Sequence, residues 1–303
     1  DGQTCVFLAD NSPYNFQGDS DVMKRIIGCD LLAFPYNGAA SDYPICYSSI
    51  ANDEALAIAN AREEKRWAAT CKFIDVVRPK ALMPYSSDFA VCGPMAKEFA
   101  KLEALWWADK DKVAARYGER FGTPSFAVRD GSSLEISAGG SSFVPPEKAP
   151  PKLKDIVDRY FSIEPKTREL YSRKEKAELD RVIELASQHL FASAERHKLT
   201  TDWVFNIVPR DMPNGPKYVV DFRDKTVTEG PARPDAKSLT CVLDSGYLHA
   251  ILTGRSHWNN AQLSFQLEWK RVPNEFDHSL YTSLNFFHVP RSMWKEFQAQ
   301  VER

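Results

Sequence analysis

The feature that most constrains the fold of this sequence is an alternation of short apolar runs with helical segments in its first third. The predicted elements are, in order, a strand at Thr4–Ala9, a helix at Asp19–Gly28, a strand at Asp30–Phe34, a long helix at Asp53–Arg78 and a strand at Ala81–Tyr85. The run Arg62–Arg66 is predicted to form the charged, solvent-facing side of the long helix. Strands that alternate with helices build a sheet with helices covering it. The pattern therefore predicts an α/β domain over residues 1–130.

A connector rich in Gly, Ser and Pro follows over residues 131–151, and it predicts a domain boundary near Lys148. A length of 303 residues also favours two domains over one. Residues 152–303 read as a compact α+β domain. Its predicted elements are helices at 152–161 and 174–198, strands at 202–208, 217–222 and 225–229, a helix at 245–253, strands at 262–270 and 284–289, and a closing helix after Pro290.

Charge and cysteine content exclude several classes of protein. A formal net charge of -2 provides no basic surface for a phosphate backbone, so nucleic acid is not an expected partner. No apolar run approaches the roughly 18 residues of a membrane span. The cysteines are scattered without a CxxC pair, which predicts mostly buried free thiols and a cytoplasmic location. They are Cys5, Cys29, Cys46, Cys71, Cys92 and Cys241.

Asp10 is the acidic residue that follows the first predicted strand. A carboxylate where a buried strand opens into a loop can hold a cation, because the sheet fixes the backbone while the side chain faces a cleft. An aspartate at such a position can equally cap a loop or a helix. Position alone leaves both interpretations open.

Four stretches in the first domain resemble one family in their order and spacing. They are Cys5–Asn11, Asp30–Phe34 with the following Gly38–Pro44, the long charged helix, and Val77–Tyr85. Together they resemble the second half of the metallo-β-lactamase-fold domain of cytidine-monophosphate N-acetylneuraminate hydroxylase and its bacterial relatives. The resemblance implies the second half of an αββα sandwich. It also implies that Asp10 is a metal ligand, whose two oxygens can each meet a cation.

The sequence departs from that family in two ways. The main ligand motif, H-x-H-x-D-H, lies in the first half of the fold and has no match in this chain. We therefore expect the amino-terminal half of the same fold to complete the metal site, either as a preceding segment or as a companion polypeptide. The late histidine of many members is also missing. Asp88 could replace it as an oxygen ligand, or could be a capping aspartate.

The histidines of the chain do not form a zinc motif of their own. None is in an H-x-H or H-x-x-x-H pair, and packing or surface roles are expected for each. All of them lie in the second domain: His189, His197, His249, His257, His278 and His288.

The second domain carries a further resemblance. Trp258–Leu263 with Arg271–Pro273 is similar to the closing segment of the same hydroxylase relatives. The order of Asp221, residues 235–240 and the helix at 245–254 resembles sterol-carrier-protein-2-like domains, which hold apolar ligands. Five aromatic residues are candidates for the lining of such a pocket, or for ordinary core. They are Trp258, Phe265, Trp269, Phe286 and Phe287.

The resemblance implies a metal-dependent hydroxylase, a monooxygenase in which two iron ions activate dioxygen beside a small-molecule substrate. The first alternative is a hydrolase of the same fold, in which zinc generates hydroxide. The second alternative is a non-catalytic subunit that binds a lipid-like ligand. Metal content and oxygen consumption distinguish the hydroxylase from the hydrolase, and a full-length reading frame without H-x-H-x-D-H before Asp1 would favour the non-catalytic subunit.

Overall fold

The computed structural model describes residues 2–8, 20–36, 42–85, 109–149, 151, 155, 158–159, 171–212, 214–215, 217–264 and 266–293. Contacts divide the chain into two compact units. The first contains the described residues of 1–44, 52–90 and 98–158; the second contains Ile45–Ala51 and the described residues from Arg159 onward. The second unit thus takes in a short segment from within the first. No helix in the described ranges is both long and apolar enough to cross a membrane.

Three described strands of the first unit form a parallel sheet with β2 at its centre. They are β1 (Cys5–Phe7), β2 (Leu31–Pro35) and β3 (Leu82–Tyr85), in the order β1-β2-β3. Helix α1 (Ser20–Ile26) connects β1 to β2, and α2 (Asp42–Ile45) and α3 (Asn52–Val77) lie between β2 and β3. The first four residues of β2 are buried, as expected for a continuous apolar run in a parallel sheet. The predicted α/β alternation is confirmed.

Aromatic side chains fasten the helices of the first unit to its sheet. Helix α4 (Lys110–Phe121) carries Tyr117, whose ring meets Phe34 of β2 edge-on at 4.9 Å and lies 4.2 Å from the ring of Trp67 in α3. Arg116 lies over the same indole at 4.2 Å and makes a two-pronged ion pair with Glu64 at 2.9 and 3.0 Å. Stacking and charge pairing therefore act on the same contact between α3 and α4.

The prediction that Arg62–Arg66 faces solvent is wrong for Glu63. Its side chain is only 5% exposed, because it shares a helix face with Ala59 and Thr70, which are also buried. Arg66 donates to both carboxylate oxygens of Glu63 at 2.7 and 2.9 Å. Burial raises the pKa of Glu63, and the nearby guanidinium groups of Arg66 and Arg62 offset only part of that rise.

The stretch predicted as a linker over residues 131–151 contains a β-hairpin instead. Strand β4 (Ser133–Ser137) pairs antiparallel with β5 (Gly140–Val144). Exposed and half-buried side chains alternate along both strands, and Phe143 reaches Phe126 at 5.6 Å. Gly140 has a φ of +126°, a conformation that favours glycine at this turn. The Gly and Ser residues that suggested a flexible connector therefore serve the turn and the polar face of a hairpin.

The second unit is built on a mixed five-stranded sheet of described strands. They are β6 (Val204–Pro209), β7 (Tyr218–Asp221), β8 (Thr226–Glu229), β9 (Ser238–Leu243) and β10 (Leu267–Val272), in the order β10-β9-β6-β7-β8. The pair β6 and β9 is parallel, and the other pairs are antiparallel. The side chains of β9 and β10 alternate between buried and less buried positions, so these two strands turn one face to the core, whereas β6 and β7 are buried on both faces.

Helices cover that face. They are α5 (Lys176–Arg196), α6 (Ser245–Leu252), α7 (Trp258–Leu263) and α8 (His278–Leu284). Tyr218 of β7 donates to Asp180 of α5 at 2.8 Å, and Phe205 of β6 meets Trp258 of α7 at 5.4 Å. Helix α5 packs on both α6 and α8. Every residue of α6 is buried, so this helix is enclosed on all sides.

Three elements of the second unit differ from the prediction. Residues 262–270 were predicted as one strand, but α7 runs to Leu263 and β10 starts at Leu267. Residues 284–289 were predicted as a strand, but α8 ends at Leu284 and irregular chain follows. Strand β9 was not predicted. Each error falls on a short apolar run, where periodicity alone cannot separate strand from helix.

Candidate functional site

The two predicted metal ligands, Asp10 and Asp88, lie outside the described residues. In the sequence they follow β1 and β3, which both pair parallel with β2, so the carboxyl ends of these strands lie at one edge of the sheet. The Tyr85 hydroxyl donates to the Leu8 carbonyl oxygen and links the two strand ends. Within the described part of the chain, no group of three or more His, Cys, Asp or Glu side chains could hold a metal ion.

The second unit contains a cluster of four aromatic rings, which we call the aromatic cluster: Phe205, Trp258, Trp269 and Phe287. Phe205 lies 5.4 Å from Trp258, 6.1 Å from Trp269 and 6.2 Å from Phe287. Trp258 lies 6.4 Å from Trp269 and stacks on Phe287 at 6.1 Å. Three of the rings are 0–1% exposed and Trp258 is 5% exposed. Two strands, one helix and one turn therefore bring their rings to a common point.

Local structure explains how these rings converge. Phe205 and Trp269 point to the helix-covered face because strand side chains alternate, and both β6 and β10 flank β9. Trp258 is the first residue of α7, whose start is fixed by the ring of His257, which accepts a hydrogen bond from the Asn259 N–H at 3.1 Å. Phe287 follows directly after α8.

Two rings of the aromatic cluster carry buried polar atoms that have no partner among the described residues. They are the indole N–H groups of Trp258 and Trp269, which are both enclosed. Leaving such a group unpaired costs about 1–3 kcal/mol. A ligand oxygen that accepts hydrogen bonds from these N–H groups would remove that cost.

The structure brings together three of the five predicted pocket aromatics, namely Trp258, Trp269 and Phe287. Phe286 is not among them, because its ring stacks on His197 at 5.0 Å. Phe265 lies outside the described residues. Phe205 was missed by the sequence analysis. Phe205 lies in a predicted strand, but the sequence alone does not predict which rings pack against that strand.

A second polar cluster surrounds His249 of the enclosed helix α6. Arg255 donates to Nδ1 of His249 at 2.9 Å, so the proton of the neutral ring belongs on Nε2. That atom lies 3.0 Å from a Glu178 oxygen but is not aligned for a hydrogen bond. Glu178 also pairs with Lys174 at 3.1 Å. Burial lowers the pKa of His249 to about 4; Glu178 opposes this shift, while Lys174 and Arg255 add to it.

The start of α6 is held by a buried hydroxyl. Ser245 donates to one carboxylate oxygen of Asp211 at 2.7 Å, and its backbone N–H donates to the other at 2.8 Å. The backbone N–H of Lys174 in turn donates to the Ser245 hydroxyl at 2.9 Å. Because all of these groups are occupied within the fold, Ser245 is a structural residue and not a free nucleophile.

The remaining histidines also make packing contacts. Nδ1 of His189 lies 3.0 Å from the carbonyl oxygen of His288, and the two rings are 4.9 Å apart. Burial lowers the pKa of His288, and His189 and His257 lower it further. These rings join the end of α5 to the chain after α8.

No family model matches the sequence, and no curated protein matches it either. Six solved chains match part of it, and two of them are sterol carrier protein 2 structures. The solution structure of the sterol carrier protein domain 2 of Helicoverpa armigera is 15% identical, with 37% of this chain and 88% of that chain covered and a TM-score of 0.29. The crystal structure of sterol carrier protein 2 like 2 from Aedes aegypti is 18% identical, with 35% and 96% covered and a TM-score of 0.25. Both TM-scores are too low to indicate a function for this chain.

Proposed function

We propose that the second unit binds a mainly apolar small molecule that carries at least one acceptor oxygen. The observation that carries the proposal is the pair of buried, unpartnered indole N–H groups in the aromatic cluster. Aromatic rings provide a large apolar surface, and a few polar groups placed among them select the ligand's orientation. The sequence resemblance around Asp221 and Ser245–Gly254 implies the same class of ligand.

The chemistry of the buried atoms narrows that class. An indole N–H can only donate, so Trp258 and Trp269 call for a hydroxyl, ether or carbonyl oxygen on the ligand. A saturated hydrocarbon would fill the same volume but would leave both indoles unpaired.

The test is displacement of Nile red, a neutral apolar dye, from the full chain by hexadecanol and by hexadecane. We expect the alcohol to displace the dye at a lower concentration than the hydrocarbon. Trp258→Phe keeps an aromatic ring but removes one donor, and one hydrogen bond corresponds to roughly a fivefold to tenfold loss in affinity for the alcohol. Affinity for hexadecane should change much less.

Trp203→Phe is the matched control. Trp203 is also buried in the second unit, at 2% exposure, but its indole is not among the unpartnered groups. This variant should bind the alcohol as the native chain does. Equal displacement by alcohol and hydrocarbon, or no displacement by either, would contradict the proposal.

A second candidate function, a metal-dependent hydroxylase, is favoured by the arrangement of the first unit. The link between Tyr85 and Leu8 brings together the strand ends that precede Asp10 and Asp88. Strand β1 is at the edge of the described sheet, and Phe7 on it is 64% exposed, so the edge suits a further strand from a companion half of the fold. The described residues do not by themselves make a metal site. Iron, when bound, would supply dioxygen activation, and zinc would supply hydroxide.

Asp10→Asn tests this candidate in the complete protein with any companion chain. Asparagine keeps the shape of the side chain but removes its charge, so metal per protein by elemental analysis should fall while the unfolding midpoint stays near that of the native protein. Asp130→Asn, at an exposed loop position, is the control. Unchanged metal content in Asp10→Asn would refute the ligand assignment. If the metal content does fall, iron with oxygen consumption in the native protein would favour the hydroxylase, and zinc without oxygen consumption would favour the hydrolase.

A further inference from the structure

The segment Ile45–Ala51 is part of the second unit although the chain on both sides of it belongs to the first. It lies along β10, which is at the end of the five-stranded sheet. The Trp269 N–H donates to the Cys46 carbonyl at 2.7 Å, and the Ser48 N–H donates to the Trp269 carbonyl at 2.9 Å. Tyr47 and Trp269 thus form a parallel β-bridge. The segment extends the sheet beyond β10.

Side chains fix the segment to β10 and to α8. The Tyr47 hydroxyl lies 2.7 Å from the Tyr281 hydroxyl, and the Arg271 guanidinium lies over the Tyr47 ring at 4.9 Å. The Arg271 backbone N–H donates to the Ser49 hydroxyl at 3.3 Å. Cys46 and Tyr47 are 0% and 4% exposed, so the segment is embedded in the unit and not merely laid on its surface.

We propose that the β10 edge is an interaction surface whose partner is residues 45–51, and that this pairing holds the two parts of the chain together when the connection between them is cut. A cut at Glu147–Lys148 leaves residues 45–51 on the amino-terminal fragment and β10 on the carboxy-terminal fragment. Strand addition to a sheet edge is a known mode of peptide recognition, with main-chain hydrogen bonds providing affinity and side-chain pockets providing specificity. Here both parts come from one chain. This inference is independent of the proposed ligand and metal functions.

The pairing also implies that the second unit is incomplete when it starts at Arg159. Without residues 45–51, the N–H and C=O groups of Trp269 would lose their partners, and the buried Arg271 and the half-buried Tyr281 would lose Tyr47. An edge opened in this way pairs readily with other chains. A carboxy-terminal fragment released from its partner should therefore self-associate.

The experiment places a specific protease site at Glu147–Lys148, both of which are exposed, and cuts the folded full chain. The products are then separated by size-exclusion chromatography without denaturant. We expect one peak at the mass of the uncut chain, which splits into two fragments only in urea. Two separate peaks without denaturant would overturn the proposal.

Ser48 offers a matched pair of variants because its side chain is exposed while its N–H is used. Ser48→Pro removes the donor to Trp269, whereas Ser48→Ala keeps it. After cutting, we expect the two fragments of the alanine variant to stay in one peak. The fragments of the proline variant should separate at protein concentrations at least tenfold higher than those at which the native fragments separate. Equal behaviour of the two variants would refute the role of the strand. If the proline variant does not fold before cutting, Tyr47→Phe, which removes only the buried hydroxyl, should weaken association several-fold.

Discussion

Replacing Gly246 with alanine is expected to destabilise the second unit by about 3 kcal/mol or more, at or above the upper end of the usual cost of overpacking a core. A Cβ at this position would lie 2.1 Å from the Tyr171 carbonyl oxygen and 2.4 Å from that of Ser172. Both are backbone atoms, which cannot swing aside as a side chain does. Helix α6 cannot retreat either, because every residue in it is buried. Urea unfolding followed by tryptophan fluorescence measures the loss.

Gly118→Ala is the control for this prediction. Gly118 is also inside a helix, α4, but a Cβ there would meet its nearest atoms at 3.5 and 3.6 Å, which is ordinary contact. Alanine restricts the unfolded chain more than glycine, so this variant should gain about 0.5–1 kcal/mol. If both substitutions shift the unfolding midpoint in the same direction, the close approach of α6 to Tyr171 is wrong.

The second large effect is a loss of stability in acid caused by His249. The pKa of the His249 ring is about 4 in the folded chain, whereas its ordinary value, which applies to the unfolded chain, is 6.5. Between these two pH values, the unfolded state binds a proton that the folded state does not. The stabilisation is complete above pH 6.5 and is lost as the pH falls toward 4. A difference of this size corresponds to roughly 3 kcal/mol. Unfolding free energies measured at several pH values from 7 to 4 should show this slope.

His249→Gln should make that slope shallower, because the variant lacks the His249 imidazole, while His288, whose pKa is also lowered, keeps its own contribution. His278→Gln, which replaces an exposed histidine, should leave the slope as it is in the native chain. The comparison uses the change of stability with pH, so it remains valid even if the glutamine variant is less stable at every pH. An unchanged slope in His249→Gln would exclude this residue as the cause.

The sequence predicted the first unit well because its pattern is local. Strands β2 and β3 and helix α3 each follow from one apolar run or one periodic stretch, bounded by residues such as Pro79. Glu63 was misplaced because its burial depends on what packs against α3, and a run of charged residues gives no sign of that. The hairpin β4–β5 was missed because its composition is that of a linker, whereas its alternation is that of a strand pair.

The candidate site was predictable only in part for a similar reason. Trp258, Trp269 and Phe287 could be named as candidates from their residue types, but Phe205 joins them through the register between β6, β9 and β10. The sequence could not reveal that the two indole N–H groups would lack acceptors among the described residues, since this depends on the positions of all the side chains around them. His249 was treated as a packing residue, and its position between Glu178 and Arg255 became visible only in three dimensions.

The pairing of residues 45–51 with β10 has a consequence for synthesis on the ribosome. Tyr47 and its partner Tyr281 are 234 residues apart. At translation rates of about 5–20 residues per second, the segment emerges on the order of 10 to 50 s before the strand that receives it. During that interval, the backbone groups of Cys46 and Ser48 have no strand to pair with, and the Tyr47 side chain lacks Arg271 and Tyr281. Among the described strands, the last one to be translated therefore completes the pairing of a segment from the first quarter of the chain.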